Sequence, residues 1–434
     1  MGSFQVTGGK RLKGEITPQG AKNEALQVIS AVLLTGEKVT IHNIPDIIDV
    51  NLQIELLEGL GVSVERINRN SCSFNADHVD TNYLSTPSFR KKTGRLRGSV
   101  MLAGPMLARF KKAYIPKPGG DKIGSRRLDT HIIGFKKLGV QFDYDNDESF
   151  FHLHTTQLKG TYILLDEPSV TGTANLLMAA VLAEGFTTIY NAACEPYIQQ
   201  LCKMLKSMGA KISGIGSNML TLEGVKELYG TTHTILPDMI EVGSFIGLAA
   251  MTQSDIIIKN AGLENLGVIP EKFQKLGIKM EFSGDDIHIP EQELYEIETF
   301  LDSSLMTISD HPWPGLTPDL LSIILVVATQ AKGSLLIHQK MFESRLFFVD
   351  KIIEMGARVV LCDPHRAVVV GLERKFPLKG ISMSSPDIRA GVALLIAALS
   401  AEGSSTIQNI EQIDRGYQNI DERLRSLGAD IVRI

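Results

Sequence analysis

Cysteine is scarce in this sequence. The four cysteines, Cys72, Cys194, Cys202 and Cys362, are scattered over 434 residues, and none stands in a CxxC pair. This spacing predicts neither a zinc site nor a disulfide framework and suits a reducing, cytoplasmic compartment. The ten histidines form no HxxxH or HExxH pattern, so we expect no metal site and no cofactor. A packing or capping role is expected for His131, His311 and His338.

A basic surplus and long apolar runs are also missing. The net charge is −5, whereas nucleic-acid-binding proteins usually carry excess positive charge. Any anion-binding site must therefore be local. The apolar runs at 174–183, 320–331 and 391–401 stop well short of the roughly 20 residues that span a bilayer. We expect them to form buried helices, with no membrane insertion. Residues 1–13 lack the apolar core of a signal peptide.

The length of the chain and an internal repeat predict two α/β domains. A chain of 434 residues exceeds a usual single core. One pattern recurs six times: an apolar helix, a short strand, an Asn-containing turn, a second helix closed by glycine, and another strand. Glycine there fits a left-handed helix C-cap leading into a strand. The closing glycines, roughly 70–80 residues apart, are Gly61, Gly139, Gly209, Gly277, Gly356 and Gly428.

Six units divide naturally into two domains of three, with the break around 235–237. The alternative is that helix–Gly–strand is simply common in α/β proteins. Six copies at near-constant spacing argue against that alternative.

Two segments in the first half of the chain could bind anions. Lys22 lies in the first turn of a predicted helix, two residues after Gly20, and such a position suits an anion. The alternative is a solvated lysine. The loop 117–127 surrounds Asp121 with Lys117, Lys122, Arg126 and Arg127 and leads into a predicted helix from Leu128. Its cations could meet phosphate and its glycines allow lid motion, but a solvated basic loop is the alternative.

Two features of the second half suggest a site. The stretch 311–321 brings Asp319 to the start of an apolar helix, where it is either a helix cap or a base beside a hydroxyl. Arg345, Arg389 and Arg415 each follow an acidic residue near a predicted helix start. Each alone would usually be a surface salt bridge. Together they suggest a convergent cluster for phosphate or carboxylate.

Taken in order, these segments resemble the UDP-N-acetylglucosamine enolpyruvyl transferase (1-carboxyvinyltransferase) family from end to end. The pieces that carry the resemblance are GAKNEAL, LRGSVMLAGPMLARF, PGGDKIGSRRLDTH, LPDMIEVGSF, TPDLL, FESRLF, SPDIRAG and IDRGYQNIDERLRSLGA. The resemblance implies a two-domain inside-out α/β barrel, with three βαβαββ repeats in each domain and the substrates between the domains. Residues 22–236, including the lid loop 117–127, would form domain one. Residues 1–21 and 237–434 would form domain two.

The resemblance also implies substrates and residue roles. The substrates would be the small molecules phosphoenolpyruvate and UDP-N-acetylglucosamine, and no obligate protein partner is indicated. Phosphoenolpyruvate would be bound by Lys22, Asn23, Arg126, Arg345, Arg389 and Arg415. UDP-N-acetylglucosamine would be bound by Arg97, Arg126, Arg127, Leu128, Ser169, Val170, Thr171, Gly172, Asp319 and Met341. The catalytic residues would be Asp121, Asp319, Lys22, Arg415 and Asp387.

In the implied reaction, Asp319 takes the proton from the sugar 3′-hydroxyl, which attacks C-2 of phosphoenolpyruvate while an acid protonates C-3. The tetrahedral ketal then expels phosphate, in the first committed step of peptidoglycan synthesis. Most relatives carry cysteine where this chain has Asp121, so the resemblance predicts a carboxylic acid as proton donor and resistance to the epoxide fosfomycin. The stretch 313–318 is longer than in many relatives, which affects the placement of Asp319.

Two other functions fit the same residues. One is the sister transferase that acts on shikimate 3-phosphate, against which the lid 117–127 and the LPDMIEVG segment argue. The other is a non-catalytic protein that binds the nucleotide sugar. Six retained residues argue against that second alternative: Lys22, Asp319, Arg345, Asp387, Arg389 and Arg415.

Overall fold

The computed structural model describes residues 2–116, 128–145 and 150–434. Within these ranges the chain forms 23 strands. They are β1 (Ser3–Thr7), β2 (Lys13–Ile16), β3 (Val39–His42), β4 (Ser63–Asn68), β5 (Ser71–Asn75), β6 (Lys112–Pro116), β7 (Gln141–Asp145), β8 (Phe150–His154), β9 (Tyr162–Leu164), β10 (Phe186–Tyr190), β11 (Lys211–Ser213), β12 (Met219–Glu223), β13 (Thr231–Thr234), β14 (Asp255–Ile258), β15 (Glu281–Ser283), β16 (Asp286–Ile289), β17 (Met306–Ser309), β18 (Ser334–His338), β19 (Arg358–Asp363), β20 (Arg366–Val370), β21 (Ser382–Ser384), β22 (Ser404–Gln408) and β23 (Asp430–Arg433).

The same ranges contain 14 α-helices. They are α1 (Lys22–Ala31), α2 (Ile48–Gly59), α3 (Pro87–Thr93), α4 (Ala103–Phe110), α5 (Asp129–Lys137), α6 (Val170–Ala180), α7 (Pro196–Ser207), α8 (Met239–Met251), α9 (Ile269–Gln274), α10 (Leu321–Ala328), α11 (Val349–Glu354), α12 (Ile388–Ser400), α13 (Glu411–Asp414) and α14 (Ile420–Ser426). None of the described helices combines the length and apolarity needed to cross a membrane.

The described strands form six sheets, and five of them share one topology. In each, the first strand runs parallel to the second, and the third and fourth follow antiparallel. The five orders are β13-β3-β5-β4, β9-β10-β12-β11, β2-β14-β16-β15, β17-β18-β20-β19 and β21-β22-β1-β23. The sixth sheet, β6-β8-β7, has only the antiparallel part. Along the chain, β17-α10-β18-α11-β19-β20 is a βαβαββ unit, so the predicted α/β repeat is confirmed.

Glycine closes the second helix of each repeat, as the sequence predicts. All six glycines have a positive φ, between 86° and 106°, where an L side chain would be strained. The strands predicted after Gly61, Gly209 and Gly356 are present as β4, β11 and β19. The repeat in the sequence therefore reflects a repeated helix-to-strand turn.

The described residues group into two compact units. One contains residues 2–19 and 237–434, and the other contains residues 20–116, 128–145 and 150–236. In the first unit α8, α10 and α12 pack against one another, and each also contacts a strand of its own sheet, β14, β18 or β22. Every residue of α8 and α10 is buried. Helices thus form the centre and sheets cover them.

The second unit is also built on buried helices. Helix α6 packs against α4, α5 and α7, and α1 packs against α2 and α7. The three apolar runs of the sequence are the buried helices α6, α10 and α12, as predicted. Five residues predicted for the site lie at or next to their N-termini: Ser169, Thr171, Asp319, Asp387 and Arg389.

Buried carboxylates hold the chain where it passes from one unit to the other. In the first unit, Glu241 of α8 accepts hydrogen bonds from the Gln19 backbone N–H (2.6 Å) and from Arg423. In the second unit, Glu24 of α1 accepts from His233 Nε2 (2.7 Å) and from the Leu236 backbone N–H (3.2 Å). Both glutamates are the third residue of their helix. Helices α8 and α1 therefore each hold the chain segment that leads to or from the other unit.

Candidate active site

Asp319 lies between two arginines of the first unit. It occupies a short 3₁₀ turn, Pro318–Leu320, just before α10. Its carboxylate accepts hydrogen bonds from Arg345 Nη2 and from Arg389 Nε, the latter over 3.2 Å. The side chains of Arg345, Arg389 and Asp319 are only 10%, 5% and 16% exposed. The cap of the turn is the Thr317 hydroxyl, so the capping interpretation of Asp319 is wrong.

Near-burial also rules out ordinary surface salt bridges for Arg345 and Arg389. Both guanidinium groups keep a buried N–H donor, Arg345 Nε and Arg389 Nη1, without a hydrogen-bond partner among the described residues. A buried, charged donor without an acceptor is costly. Guanidinium groups favour phosphate and carboxylate as acceptors. The pair therefore presents unused donors suited to an anion.

Helix α12 sets the position of Arg389. Asp387 caps this helix by accepting the backbone N–H groups of Arg389 (2.8 Å) and Ala390 (2.9 Å). The Arg389 guanidinium lies over the Tyr417 ring, 5.4 Å from its centroid. Burial opposes the charge, but Tyr417, Asp319 and Asp238 together raise the pKa of Arg389 above its ordinary value. Arg389 is thus a fixed cation.

Met341 and Arg415 also belong to the first unit. Met341 is exposed, and its backbone N–H donates to Asp310 Oδ2 over 3.1 Å. Asp310, which is fully buried, also accepts the Lys340 N–H over 2.5 Å. Arg415 is half-buried after α13, which packs against α12, and its Nη1 donates to Gln412 Oε1 over 2.8 Å.

Lys22 begins α1 in the second unit. Its Nζ lies 2.6 Å from Asp49 Oδ2, and the two side chains are 9% and 5% exposed. The solvated-lysine alternative is therefore wrong. Asn23 follows at a half-buried position of the same helix turn. Lysine at this helix start is opposed by the helix dipole, and Asp49 offsets that cost.

The second unit also contains the other predicted nucleotide-sugar residues that the structure describes. Leu128 precedes α5, and Arg97 begins a 3₁₀ turn. Ser169 caps α6 by accepting the Gly172 N–H over 3.2 Å, so Val170, Thr171 and Gly172 form its first turn. His131 of α5 bonds Thr171 Oγ1 over 3.1 Å, which fits the predicted packing role of this histidine.

Some predicted residues lie outside the described ranges. These are the lid loop 117–127 and, within it, Asp121, Arg126 and Arg127. In the ranges that are described, no group of three or more His, Cys, Asp or Glu side chains is arranged to hold a metal ion.

Sequence reasoning missed the partners of the predicted residues. Asp49, which pairs with Lys22, and Asp310, which holds the 340–341 backbone, were not predicted. Asp238, which contributes to the charge of Arg389, was also missed, although it lies in the LPDMIEVG segment. Each is an acid at an element boundary, and only tertiary packing shows what it contacts.

Comparison with known proteins identifies the family. A family model described as EPSP synthase (3-phosphoshikimate 1-carboxyvinyltransferase) matches residues 6–424. A protein of Bacteroides thetaiotaomicron named UDP-N-acetylglucosamine 1-carboxyvinyltransferase is 67% identical over 434 residues, covering all of both chains. One of the same name from Porphyromonas gingivalis is 63% identical with the same coverage.

Solved structures show the same fold at low identity. The enolpyruvyl transferase NikO of Streptomyces tendae has a TM-score of 0.87 at 20% identity, covering 100% of this chain and 99% of NikO. An EPSP synthase from Acinetobacter baumannii has a TM-score of 0.74 at 17% identity, with both chains fully covered. Since the family model spans nearly the whole chain and these relatives match it end to end, the chain belongs to the EPSP synthase family.

Proposed function

We infer that this protein is an enzyme that transfers the enolpyruvyl group of phosphoenolpyruvate to the 3′-hydroxyl of UDP-N-acetylglucosamine and releases phosphate. Relatives at 63–67% identity with full mutual coverage carry the name of this activity. The observation on this chain that supports it best is the pair of buried arginine donors, Arg345 Nε and Arg389 Nη1, that have no acceptor among the described residues. Phosphoenolpyruvate supplies both a phosphate and a carboxylate.

We propose that a set of cations and one amide binds phosphoenolpyruvate: Lys22, Asn23, Arg126, Arg345, Arg389 and Arg415. Fixed positive charge in a water-poor site stabilises a trianionic ligand and the charge that develops on its phosphate as it leaves. The near-burial of Lys22 and Arg389 supports their part in this site. Arg126 belongs to the proposal through the family resemblance alone.

The UDP-sugar residues are a second part of the proposal: Arg97, Arg126, Arg127, Leu128, Ser169, Val170, Thr171, Gly172, Asp319 and Met341. The first turn of α6 supplies backbone N–H groups and a hydroxyl, which suit an anionic nucleotide. We also propose that the two compact units are domains, residues 22–236 forming one and residues 1–21 and 237–434 the other.

In the proposed mechanism Asp319 takes the proton of the 3′-hydroxyl, and the oxygen forms a bond to C-2 of phosphoenolpyruvate. Asp121 gives a proton to C-3, so a methyl ketal phosphate results. Loss of a C-3 proton and departure of phosphate then leave the enolpyruvyl ether. Asp319 is ionised between Arg345 and Arg389, which is the state a base requires. Asp387 supports this centre by fixing the first turn of α12.

The physiological role is also proposed. The product would enter peptidoglycan synthesis in the cytoplasm, as the first committed step. Because Asp121 replaces the thiol of most relatives, no nucleophilic sulfur is available at this position for fosfomycin to alkylate. The enzyme would therefore be resistant to this epoxide.

Phosphate release from purified protein tests the proposal. Phosphoenolpyruvate with UDP-N-acetylglucosamine should give steady release, whereas phosphoenolpyruvate with shikimate 3-phosphate should give none. The Asp121→Asn variant should lose most of the activity. Release with shikimate 3-phosphate would favour the sister enzyme, and tight UDP-sugar binding without any release would favour the non-catalytic alternative.

A further inference from the structure

Asn175 of α6 has an amide whose orientation is fixed by the backbone around it. Its Oδ1 accepts the Gly104 N–H over 2.8 Å, and its Nδ2 donates to the Val100 carbonyl over 2.9 Å. A backbone N–H only donates and a carbonyl only accepts. Rotating the amide by 180° would therefore set donor against donor and acceptor against acceptor. Asn175 is fully buried, so water cannot relieve such a mismatch.

The fixed amide determines the tautomer of His131. Asn175 Nδ2 lies 2.9 Å from His131 Nδ1, so this ring nitrogen must accept. Burial, with a smaller effect from Arg97, lowers the pKa of His131 to about 3, so the ring is neutral near neutral pH. A neutral ring that accepts at Nδ1 carries its proton on Nε2. His131 Nε2 therefore donates to Thr171 Oγ1 over 3.1 Å.

The chain of hydrogen bonds ends at the Thr171 hydroxyl. This oxygen accepts from His131, and no other described group makes a hydrogen bond with the Thr171 side chain. Unlike Asn175 and His131, Thr171 is only half-buried. Its own O–H is thus directed away from the ring and remains available as a donor. Gly104, Asn175, His131 and Thr171 therefore form a chain with a single polarity: each donates a hydrogen bond to the next, and the Thr171 O–H is the donor left at the end.

We propose that Asn175 and His131 are positioning residues that make the Thr171 hydroxyl an obligate hydrogen-bond donor to an oxygen of the UDP-sugar. This inference rests on the proposed function, in which the first turn of α6 binds that substrate. Phosphate and uracil carbonyl oxygens only accept hydrogen bonds, so a hydroxyl held as a donor matches them. A hydroxyl with a freely rotating proton would bind such oxygens less well, because ordering it costs entropy.

The direct test compares Thr171→Val and Thr171→Ser by calorimetric binding of UDP-N-acetylglucosamine and by steady-state kinetics. The valine variant keeps the shape and loses the donor, so the Kd for the UDP-sugar should rise roughly tenfold. The KM for phosphoenolpyruvate and kcat should change by less than about twofold. Serine restores the hydroxyl and should recover most of the affinity.

Thr130→Val is the matched control. The Thr130 hydroxyl donates to Asp166 Oδ1 over 2.8 Å and ties the same helix, α5, to the segment before α6. Its loss should leave the UDP-sugar Kd within about twofold of wild type. If Thr130→Val weakened UDP-sugar binding as much as Thr171→Val does, the weakening would come from a shifted turn and not from a lost donor. That result would overturn the proposal. An unchanged Kd in Thr171→Val would also overturn it.

Two further measurements separate this inference from the proposed function. If the wild type neither binds UDP-N-acetylglucosamine nor releases phosphate with it, the proposed function fails and this inference fails with it. If the wild type is active but Thr171→Val binds like wild type, only this inference fails. Nitrogen-15 NMR of labelled histidine, with His131→Gln for assignment, should show the Nε2–H tautomer at position 131. An Nδ1–H tautomer would overturn the inference whatever the activity.

Discussion

Arg389 Nε donates to Asp319 Oδ2 over 3.2 Å, and the same carboxylate also accepts from Arg345. The residue proposed as base is thus held by two of the residues proposed to bind phosphoenolpyruvate. The two arginines keep Asp319 ionised, and their remaining buried donors are left for the substrate. Base and anion site are therefore one electrostatic unit.

Asp319→Asn should separate these two roles. The amide keeps the size of the side chain but cannot take a proton, so kcat should fall roughly 10²–10⁴-fold. Phosphoenolpyruvate binding should not weaken, because Arg345 and Arg389 lose a competing anion. Steady-state kinetics and calorimetry would measure both. Asp363→Asn, at a half-buried aspartate paired with the exposed Arg366, is the control and should behave as wild type. A kcat within tenfold of wild type would exclude Asp319 as the base.

The fold was largely predictable because its signals are local. A glycine with positive φ after a helix is a property of a few adjacent residues, and Gly61, Gly209 and Gly428 all show it. The partners in the site were not predictable. Lys22 and Asp49 are 27 residues apart, and Arg389 and Asp319 are 70 apart. Which acid a cation meets over such separations depends on helix packing, which no local pattern reports.

Substitutions in the buried Lys22–Asp49 pair should affect stability and activity differently. Asp49→Asn removes the carboxylate beside a buried cation, so the free energy of unfolding should fall by about 3 kcal/mol. Adding Lys22→Met removes the cation and should restore most of the lost stability. Enolpyruvyl transfer should nevertheless be abolished in the double variant, because Lys22 is part of the proposed phosphoenolpyruvate site. Denaturant unfolding and phosphate release would measure the two effects.

The exposed pair Lys211–Glu223, at 2.7 Å, is the control for the substitutions at Lys22 and Asp49. Lys211→Met and Glu223→Gln should each change stability by less than about 1 kcal/mol. If Lys22→Met alone kept wild-type turnover, Lys22 would have a structural role only.

Asp310 is expected to affect UDP-sugar binding, because it holds the backbone of Met341. In Asp310→Asn, the new NH₂ group faces one of the two backbone N–H groups that the carboxylate accepts. Losing one of these two hydrogen bonds should lower the free energy of unfolding by about 1–3 kcal/mol. It should also raise the KM for UDP-N-acetylglucosamine severalfold and leave the KM for phosphoenolpyruvate unchanged. Asp285 also accepts two backbone N–H groups, from Gly262 and Leu263, but at an exposed site. Asp285→Asn should change neither KM, and equal effects of the two substitutions would contradict this role.

Asp121 predicts the response to fosfomycin. The wild type should keep full activity after prolonged exposure, because a carboxylate at this position offers no thiolate. Asp121→Cys should retain turnover and become inactivated with time and in one-to-one stoichiometry, as mass spectrometry would record. Cys362→Ser in the Asp121→Cys background removes an exposed thiol and should leave that inactivation intact. Time-dependent inactivation of the wild type would refute the predicted resistance.

His131 predicts a loss of stability in mild acid. Its pKa is lowered from an ordinary 6.5 to about 3 by burial and by Arg97. Between these values the unfolded chain binds a proton that the folded chain does not, so the free energy of unfolding falls as the pH falls. The His131 contribution is fully present above pH 6.5, and about 2 kcal/mol of it should be lost at pH 5.

Because other groups titrate in the same range, the informative quantity is the difference between wild type and His131→Gln. That difference should shrink by about 2 kcal/mol from pH 7 to pH 5, measured by urea unfolding at each pH. His154→Gln, at an exposed histidine that bonds Gln141, should run parallel to wild type. A constant difference for His131→Gln would mean that the ring takes up its proton within the folded protein. His131 Nδ1 would then carry a proton at pH 5 and could not accept from Asn175 at that pH.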